Sequence, residues 1–162
     1  NNVEDLEALR DYLGLGKVVL LGASYGGIVA LSYAVRYPEN VSHLIAVVTA
    51  PHAGFLQRAK EILAERGNEE QLAAAKTLWA GAFRDEADLR HYYRAMRSMY
   101  ALKQDPAAAE EAEARGILSV DAINEGFGGF LRSYDVSDQL QRITAPTLVI
   151  GAAHDWICAP EF

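Results

Sequence analysis

Cysteine and basic clusters are scarce in this chain of 162 residues. Cys158 is the one cysteine, so no disulfide can form within the chain and no cysteine-based zinc site can be proposed. Fifteen Lys and Arg residues stand against 22 Asp and Glu, which gives a net charge of -7, and no basic run is present to neutralise phosphates. We therefore expect no nucleic-acid partner, and the single cysteine favours a cytoplasmic, reducing location.

Long uncharged stretches are also rare, and the one at residues 18–35 has two interpretations. A run of this length could span a bilayer. Three glycines and a serine interrupt it, however, which favours a strand, a sharp turn and a helix. We predict a strand at Val18–Leu21, a turn through residues 22–27 and a helix at 28–37, and we expect no membrane association.

Three apolar segments predict strands that alternate with helices. The first is Val18–Leu21, preceded by a helical pattern over residues 3–13, and the others are His43–Val48 and Thr147–Ile150. With 51% hydrophobic residues, the chain can bury a core of its own. The pattern predicts an α/β fold, with a parallel sheet and helices on its faces.

A long segment between the second and third strands is rich in Ala, Glu, Arg and Leu. Its apolar residues recur at helical spacing, which predicts an inserted helical subdomain. The predicted organisation is a core at 1–50, a helical insertion at 51–144 and a second core segment at 145–162. The helices of the insertion are predicted near residues 56–63, 72–83, 89–102 and 107–115.

The motif Gly22-Ala23-Ser24-Tyr25-Gly26 lies between the first strand and the next helix. A Gly-x-Ser-x-Gly motif in this context predicts a nucleophile elbow, in which a strained turn exposes the serine hydroxyl. We expect glycine to be required at positions 22 and 26, because only a very small residue there lets strand and helix approach closely. The Tyr25 N–H would then point to a developing oxyanion. Phosphate-binding loops require Gly-Lys-Ser/Thr or Gly-x-Gly-x-x-Gly, and neither pattern is present.

A serine nucleophile needs a base and an acid that orients it. Asp155 follows the third strand, where an acid of this fold class is expected. The chain order Ser, acid, His would put the base after Asp155, but His43, His52, His91 and His154 all precede it. His154 adjoins the acid, yet neighbouring residues of an extended segment point in opposite directions. We therefore predict that the catalytic histidine is absent from this sequence.

Three segments together resemble the α/β-hydrolase superfamily: VVLLGASYGGIVALSYAVRYP, ENVSHLIAVVTAP and APTLVIGAAHDWICAPEF. Within it, they are most similar to the proline iminopeptidase (prolyl aminopeptidase) group of serine peptidases. The resemblance implies Ser24 as nucleophile, Tyr25 as one oxyanion donor and Asp155 as acid. It also implies a partial α/β-hydrolase fold in which residues 51–144 are the helical cap, and no metal or organic cofactor.

The sequence departs from that family at two points. The family has a His-Gly-Gly-Pro-type loop near its N-terminus and a catalytic histidine near its C-terminus, and neither is present here. We therefore expect that the chain is truncated at both ends and is inactive alone. We also expect the first strand to have an unpaired edge and an uncovered apolar face.

The resemblance further implies that cap carboxylates and aromatic side chains bind a free N-terminal proline. Glu125, with Phe127 and Phe130 nearby, is the candidate for this role, and a solvated helix face is the alternative explanation for Glu125. The expected reaction is release of N-terminal proline from peptides by Ser-His-Asp acyl transfer. An esterase, lactonase or amidase acting on another small acyl substrate is one alternative. A non-catalytic fragment or assembly module, completed by another chain, is an alternative of a different class.

Overall fold

The described residues, 1–103 and 105–162 of this computed structural model, include three strands that form one parallel sheet. The strands are β1 (Val18–Ala23), β2 (Val41–Val47) and β3 (Thr147–Ile150), in the spatial order β1-β2-β3. The α/β fold and the parallel sheet predicted from the sequence are confirmed. β1 forms one edge of this sheet, as expected, and β3 forms the other.

The two faces of the sheet differ in burial. Leu20 and Leu44 are paired in register and lie on the face that packs against the following helix, where both are buried. On the opposite face, Leu21, Ile45 and Leu148 form one row across the three strands. Leu21 is 67% exposed and Leu148 is 55% exposed. One face is therefore covered over β1 and β2, whereas the opposite face carries exposed apolar residues and β3 is exposed along its whole length.

Two helices accompany the sheet: α1 (Asn2–Tyr12) and α2 (Tyr25–Arg36). α2 packs on β1 and β2 through apolar residues that include Ala30, Leu31 and Ala34. The uncharged stretch 18–35 is therefore divided between a strand and a helix, as predicted. The predicted helix start at Ile28 is wrong, because α2 begins at Tyr25, directly after the turn residue. In the part of the chain that the structure describes, no helix has both the length and the apolar character needed to cross a bilayer.

The middle of the chain is helical, as predicted, but its division into helices differs. The predicted helix at 89–102 is two helices, since α5 ends at Ala95 and Met96 separates it from α6, which begins at Arg97. A helix around Glu125 was not predicted. The observed bounds are α3 (Gly54–Arg66), α4 (Glu69–Ala80), α5 (Glu86–Ala95), α6 (Arg97–Tyr100), α7 (Pro106–Arg115) and α8 (Val120–Gly128).

The chain divides into two compact units. The first contains residues 1–55 and 134–162, and the second contains residues 56–133. The second unit is shorter than the insertion 51–144, because Val136 is buried in the core around β1 and β2, with Leu140 packed beside it. The assignment of this second unit as a cap stays a prediction.

Candidate active site

Ser24 lies at a sharp turn at the carboxyl end of β1. It is the one residue between the end of β1 and the start of α2. Its backbone has φ 51° and ψ −121°, a conformation that is uncommon for any residue other than glycine. The Ser24 N–H donates to the Val47 carbonyl at 3.0 Å, so the pairing of β1 with β2 continues up to this residue. Ser24 is exposed, which leaves its hydroxyl open to a substrate.

The glycines of the motif have different roles. A Cβ on Gly22 would lie 2.2 Å from the Gly26 carbonyl oxygen, so strand and helix are in backbone contact there. A Cβ on Gly26 would meet nothing within 4 Å among the described residues. The expectation that Gly26 must be small to permit close approach is therefore wrong, because the close contact with Gly22 is made by the backbone carbonyl of Gly26, which any residue would provide. The second crowded position is Gly27, where a Cβ would lie 2.5 Å from the Thr49 side chain.

The first turn of α2 provides backbone amides next to Ser24. The Gly27 and Ile28 N–H groups donate to the Ser24 carbonyl at 2.9 and 3.2 Å, which starts the helical ladder. The N–H of Tyr25 belongs to the group of initial helix amides that this ladder does not use. The positive end of the helix dipole lies at the same place. The Tyr25 side chain is 40% exposed, and its hydroxyl is hydrogen bonded to the Asn2 amide.

The segment after β2 contacts the turn and was not identified from the sequence. Thr49 Oγ1 donates to the Ser24 carbonyl at 2.9 Å. The preceding residue, Val48, has φ 41°, in the left-handed region that β-branched residues avoid. In the sequence, the one signal for a role of Thr49 is that a hydroxyl residue directly follows the predicted strand His43–Val48. The contact itself depends on the positive φ of Val48, which no sequence pattern predicts.

Asp155 lies in a tight loop that follows β3. Its N–H donates to the Ala152 carbonyl at 3.0 Å, and its Oδ1 accepts from the backbone N–H groups of Ile157 and Cys158 at 2.8 and 3.0 Å. Trp156 anchors this loop, since its side chain is only 1% exposed. Both loop amides donate to Oδ1, the same oxygen of this carboxylate.

The sheet order places the segments that carry these two residues at the same edge of the sheet. Ser24 follows β1 and Asp155 follows β3, and both strands pair with β2 at its two sides. Parallel strands lie about 4.8 Å apart, so the carboxyl ends of β1 and β3 are separated by roughly 10 Å. Ser24 directly follows β1 and Asp155 lies in the loop five residues after β3, so both residues follow carboxyl ends at the same edge of the sheet.

The four histidines lie in different surroundings. His43 is exposed on β2, in register with Val19, and His91 is exposed on α5. His52 accepts the Gly54 N–H at Nδ1 at 3.0 Å. His154 is exposed in the loop directly before Asp155. The absence of the catalytic histidine from this sequence stays a prediction.

The thiol of Cys158 is not suited to act as the nucleophile. Burial raises the pKa of this thiol to about 12, with a smaller contribution from the Asp155 carboxylate. A thiol with such a pKa is protonated near neutral pH, and the thiolate is the reactive form. The exposed hydroxyl of Ser24 is therefore the better candidate for covalent chemistry.

The candidate substrate contacts Glu125, Phe127 and Phe130 lie in the second unit. Glu125 and Phe127 are on α8, and Phe130 follows that helix. The Phe127 ring packs edge-on against Trp79 with centroids 5.8 Å apart, so it contributes to the packing of the unit. Glu125 is exposed and Phe130 is 43% exposed. Among residues 1–103 and 105–162, no group of three or more His, Cys, Asp or Glu side chains could hold a metal ion.

A comparison with protein families matches residues 2–161 to the alpha/beta hydrolase fold. The chain belongs to the alpha/beta hydrolase fold family. A curated relative, the proline iminopeptidase PfmaB of Pestalotiopsis fici, is 32% identical over 98% of this chain and 58% of its own length. This alpha/beta hydrolase chain thus spans little more than half the length of that relative.

Solved structures of alpha/beta hydrolases show the same fold. A hydrolase from Bacillus anthracis superposes with a TM-score of 0.76 at 22% identity, over 99% of this chain and 58% of that one. An esterase from Exiguobacterium antarcticum superposes with a TM-score of 0.66 at 25% identity, over 99% of this chain and 57% of that one. The likeness to the Bacillus anthracis hydrolase supports the fold assignment alone.

Proposed function

We propose that this chain carries the nucleophile and the acid of a serine hydrolase of the proline iminopeptidase type. The observation that carries the proposal is the backbone of Ser24, exposed at φ 51° between a parallel strand and the helix that follows it. A serine in this strained conformation costs free energy and is typical of a functional turn. The 32% identity to a relative named proline iminopeptidase supports the choice of substrate class.

The proposed reaction is acyl transfer. Ser24 Oγ attacks the carbonyl carbon of an N-terminal prolyl residue, while a histidine accepts the hydroxyl proton. The Tyr25 N–H stabilises the oxyanion, and Asp155 Oδ2 accepts a hydrogen bond from the imidazolium. The histidine then protonates the leaving amine, and water releases proline from the acyl-enzyme. The base and a second oxyanion donor are proposed to lie outside residues 1–162, so that this chain alone is inactive, and no cofactor takes part.

In this proposal the second unit binds the substrate amine. Glu125 is exposed and carries the negative charge that a prolyl ammonium requires, and the Phe130 ring is exposed two residues after α8. Phe127 supports this surface through its contact with Trp79.

The scarcity of cysteine leads us to propose a cytoplasmic location as well.

The substrate class is tested by comparing two chromogenic substrates with the full-length protein. We expect a higher kcat/KM for prolyl-p-nitroanilide than for a short p-nitrophenyl ester. Ser24→Ala is expected to lower kcat/KM for both substrates by about 10³-fold or more while the protein remains folded. A preference for the ester would contradict the peptidase assignment, and full activity of Ser24→Ala would contradict the nucleophile.

An esterase is the second candidate, supported by the structural likeness to the esterase from Exiguobacterium antarcticum. It uses the same Ser24 and Asp155, since the turn geometry does not depend on the acyl group. A preference for the ester, lost in Ser24→Ala, is the result that this candidate predicts. A non-catalytic module predicts turnover of neither substrate.

A further inference from the structure

The peptide unit that joins Ser24 to Tyr25 is contacted by a side chain from the segment that follows β2. Its carbonyl oxygen accepts the Thr49 hydroxyl at 2.9 Å, in addition to the amides of the first turn of α2. Thr49 is not in the helix that follows the turn. It comes two residues after the end of β2, the central strand of the sheet.

The position of Thr49 depends on a strained residue. The Val48 N–H donates to the Ile150 carbonyl at 2.8 Å, so the central strand is still tied to β3 at this point. Val48 then adopts φ 41°, which turns the chain towards α2. Among the described residues, the non-glycine residues with positive φ are Ser24 and Val48. Such conformations persist where the surroundings impose them, and they concentrate at functional sites.

The Thr49 side chain also has no room to move towards α2. A Cβ on Gly27 would lie 2.5 Å from Thr49 Cβ and 2.6 Å from its Oγ1, so the threonine lies directly against the glycine Cα. This close packing holds the Thr49 side chain beside the turn, where its hydroxyl donates to the Ser24 carbonyl. Thr49 as a whole is half-buried, and its hydrogen bond to the Ser24 carbonyl lies at an exposed position.

A peptide group is planar, and in the trans form its C=O and N–H point in opposite directions. The Ser24 carbonyl and the Tyr25 N–H belong to one such plane. A hydrogen bond to the carbonyl therefore fixes the direction of the N–H, and it also polarises the amide so that the N–H becomes a stronger donor. We propose that Thr49 is a positioning residue that orients the Tyr25 N–H towards the oxyanion. This inference rests on the proposed function, in which Ser24 is the nucleophile.

The test measures the rate at which a fluorophosphonate modifies Ser24 in the full-length protein, together with kcat and KM for a p-nitrophenyl ester. Thr49→Val removes the hydroxyl and keeps the branched shape, and Thr49→Ser keeps the hydroxyl. Thr147→Val is the matched control, because Thr147 Oγ1 also donates to a backbone carbonyl, that of Ala145, at 2.9 Å. Circular dichroism and thermal unfolding establish that each variant is folded.

We expect Thr49→Val to lower the labelling rate and kcat about 10-fold with little change in KM, because an oxyanion donor acts in the transition state. Thr49→Ser should remain within about threefold of the wild type, and Thr147→Val should be unchanged. A folded Thr49→Val protein that labels at the wild-type rate would overturn the inference and leave the proposed function intact. A wild-type protein that does not label at Ser24 would overturn both.

A second measurement applies if Thr49→Val does not fold. Thr49→Ala also removes the hydroxyl, and the 15N-1H NMR signal of Tyr25 reports on the amide directly. We expect this signal to shift and its exchange with solvent to rise in Thr49→Ala, and to stay near its wild-type position in Thr49→Ser. An unchanged Tyr25 signal in Thr49→Ala would overturn the inference.

Discussion

The tight turn at Ser24 places different demands on the glycines around it. A Cβ on Gly22 would collide with the Gly26 carbonyl, which is backbone and cannot rotate away, whereas a Cβ on Gly26 would enter open space among the described residues. We expect Gly22→Ala to lower the free energy of unfolding by about 3 kcal/mol. Gly26→Ala is the matched control, with an expected change below about 1 kcal/mol. Urea unfolding of the two variants measures both values, and equal losses would contradict the geometry.

Glu125 is the candidate contact for the substrate amine, and its role can be tested by substituting this residue alone. If Glu125 binds the substrate ammonium, Glu125→Gln should raise KM for prolyl-p-nitroanilide about 10-fold and leave KM for a p-nitrophenyl ester unchanged. Asp121→Asn is the control, because Asp121 is exposed on the same helix, α8. Both variants are measured in the full-length protein. Equal effects of the two substitutions on KM for prolyl-p-nitroanilide would favour the alternative, in which Glu125 lies on a solvated helix face.

At the scale of elements, α1 is attached by both apolar and polar contacts. No residue of α1 is fully buried, but Val3 and Leu6 are partly buried against the core that includes α2. The Glu7 carboxylate accepts hydrogen bonds from Arg10 at 2.8 and 2.9 Å, from the Tyr33 hydroxyl at 2.5 Å and from Asn40 at 3.0 Å. These contacts, with Arg10 contributing most, lower the pKa of Glu7 to about 2. One carboxylate thus links the helix to its neighbours.

This attachment should depend on pH. A carboxylate whose pKa is lowered by folding stabilises the protein fully above its unfolded pKa, and that contribution is lost as the pH falls from about 4.5 towards 2. Glu7→Gln is expected to lower the free energy of unfolding by about 1 to 2 kcal/mol at pH 6 and by clearly less at pH 3. Urea unfolding at the two pH values measures this, with Asp11→Asn, exposed on the same helix, as the control. A cost that is independent of pH would contradict the role of Glu7.

α7 is likewise held by charge, since none of its residues is buried. Arg94 Nε donates to both carboxylate oxygens of Glu113 at 3.0 and 3.2 Å, and Arg90 donates to the Glu113 carbonyl at 2.8 Å. Glu113→Gln should therefore raise amide hydrogen exchange in α7 about two- to fivefold, as expected from exposed ion pairs. Glu110→Gln on the same helix is the control. Unchanged exchange in α7 would show that the helix is held by other contacts.

The elements that the sequence predicted best have clear boundaries. Thr147–Ile150 was predicted with its observed limits, because Pro146 precedes an uninterrupted apolar run and Gly151 follows it. α8 was missed because Gly126 and Gly128 weaken the helical pattern. The early start of α2 was missed because Gly26 and Gly27 were assigned to the turn. A single residue with positive φ, Ser24, makes the whole turn.

The sequence supplied two residues of the candidate site, and their catalytic roles stay predictions. The motif identified Ser24, and the position after an apolar strand identified Asp155. The role of Thr49 could not be predicted, since its contact with Ser24 spans 25 positions of the sequence and depends on the backbone of Val48. Contacts of this kind arise from the sheet register, which local sequence patterns do not contain.

At the scale of the whole molecule, the exposed apolar face of the sheet should govern association. Leu21 and Leu148 lie in one row on this face, and both are more than half exposed. Exposed apolar surface beside open strand edges promotes self-association. We expect the 162-residue chain to associate at micromolar concentration and Leu148→Lys to shift it towards the monomer. Leu102→Lys, at a residue 72% exposed in the second unit, is the control. Sedimentation velocity at several concentrations measures the effect, and identical behaviour of the two variants would contradict it.

The central claim is that Ser24 is a nucleophile in an alpha/beta hydrolase. Its most direct test is treatment of the folded full-length protein with a fluorophosphonate, followed by mass-spectrometric mapping of the modified peptide. We predict one adduct, on the Ser24 hydroxyl, that is absent from Ser24→Ala. Modification of a different residue, or a folded protein that remains unmodified, would contradict the claim.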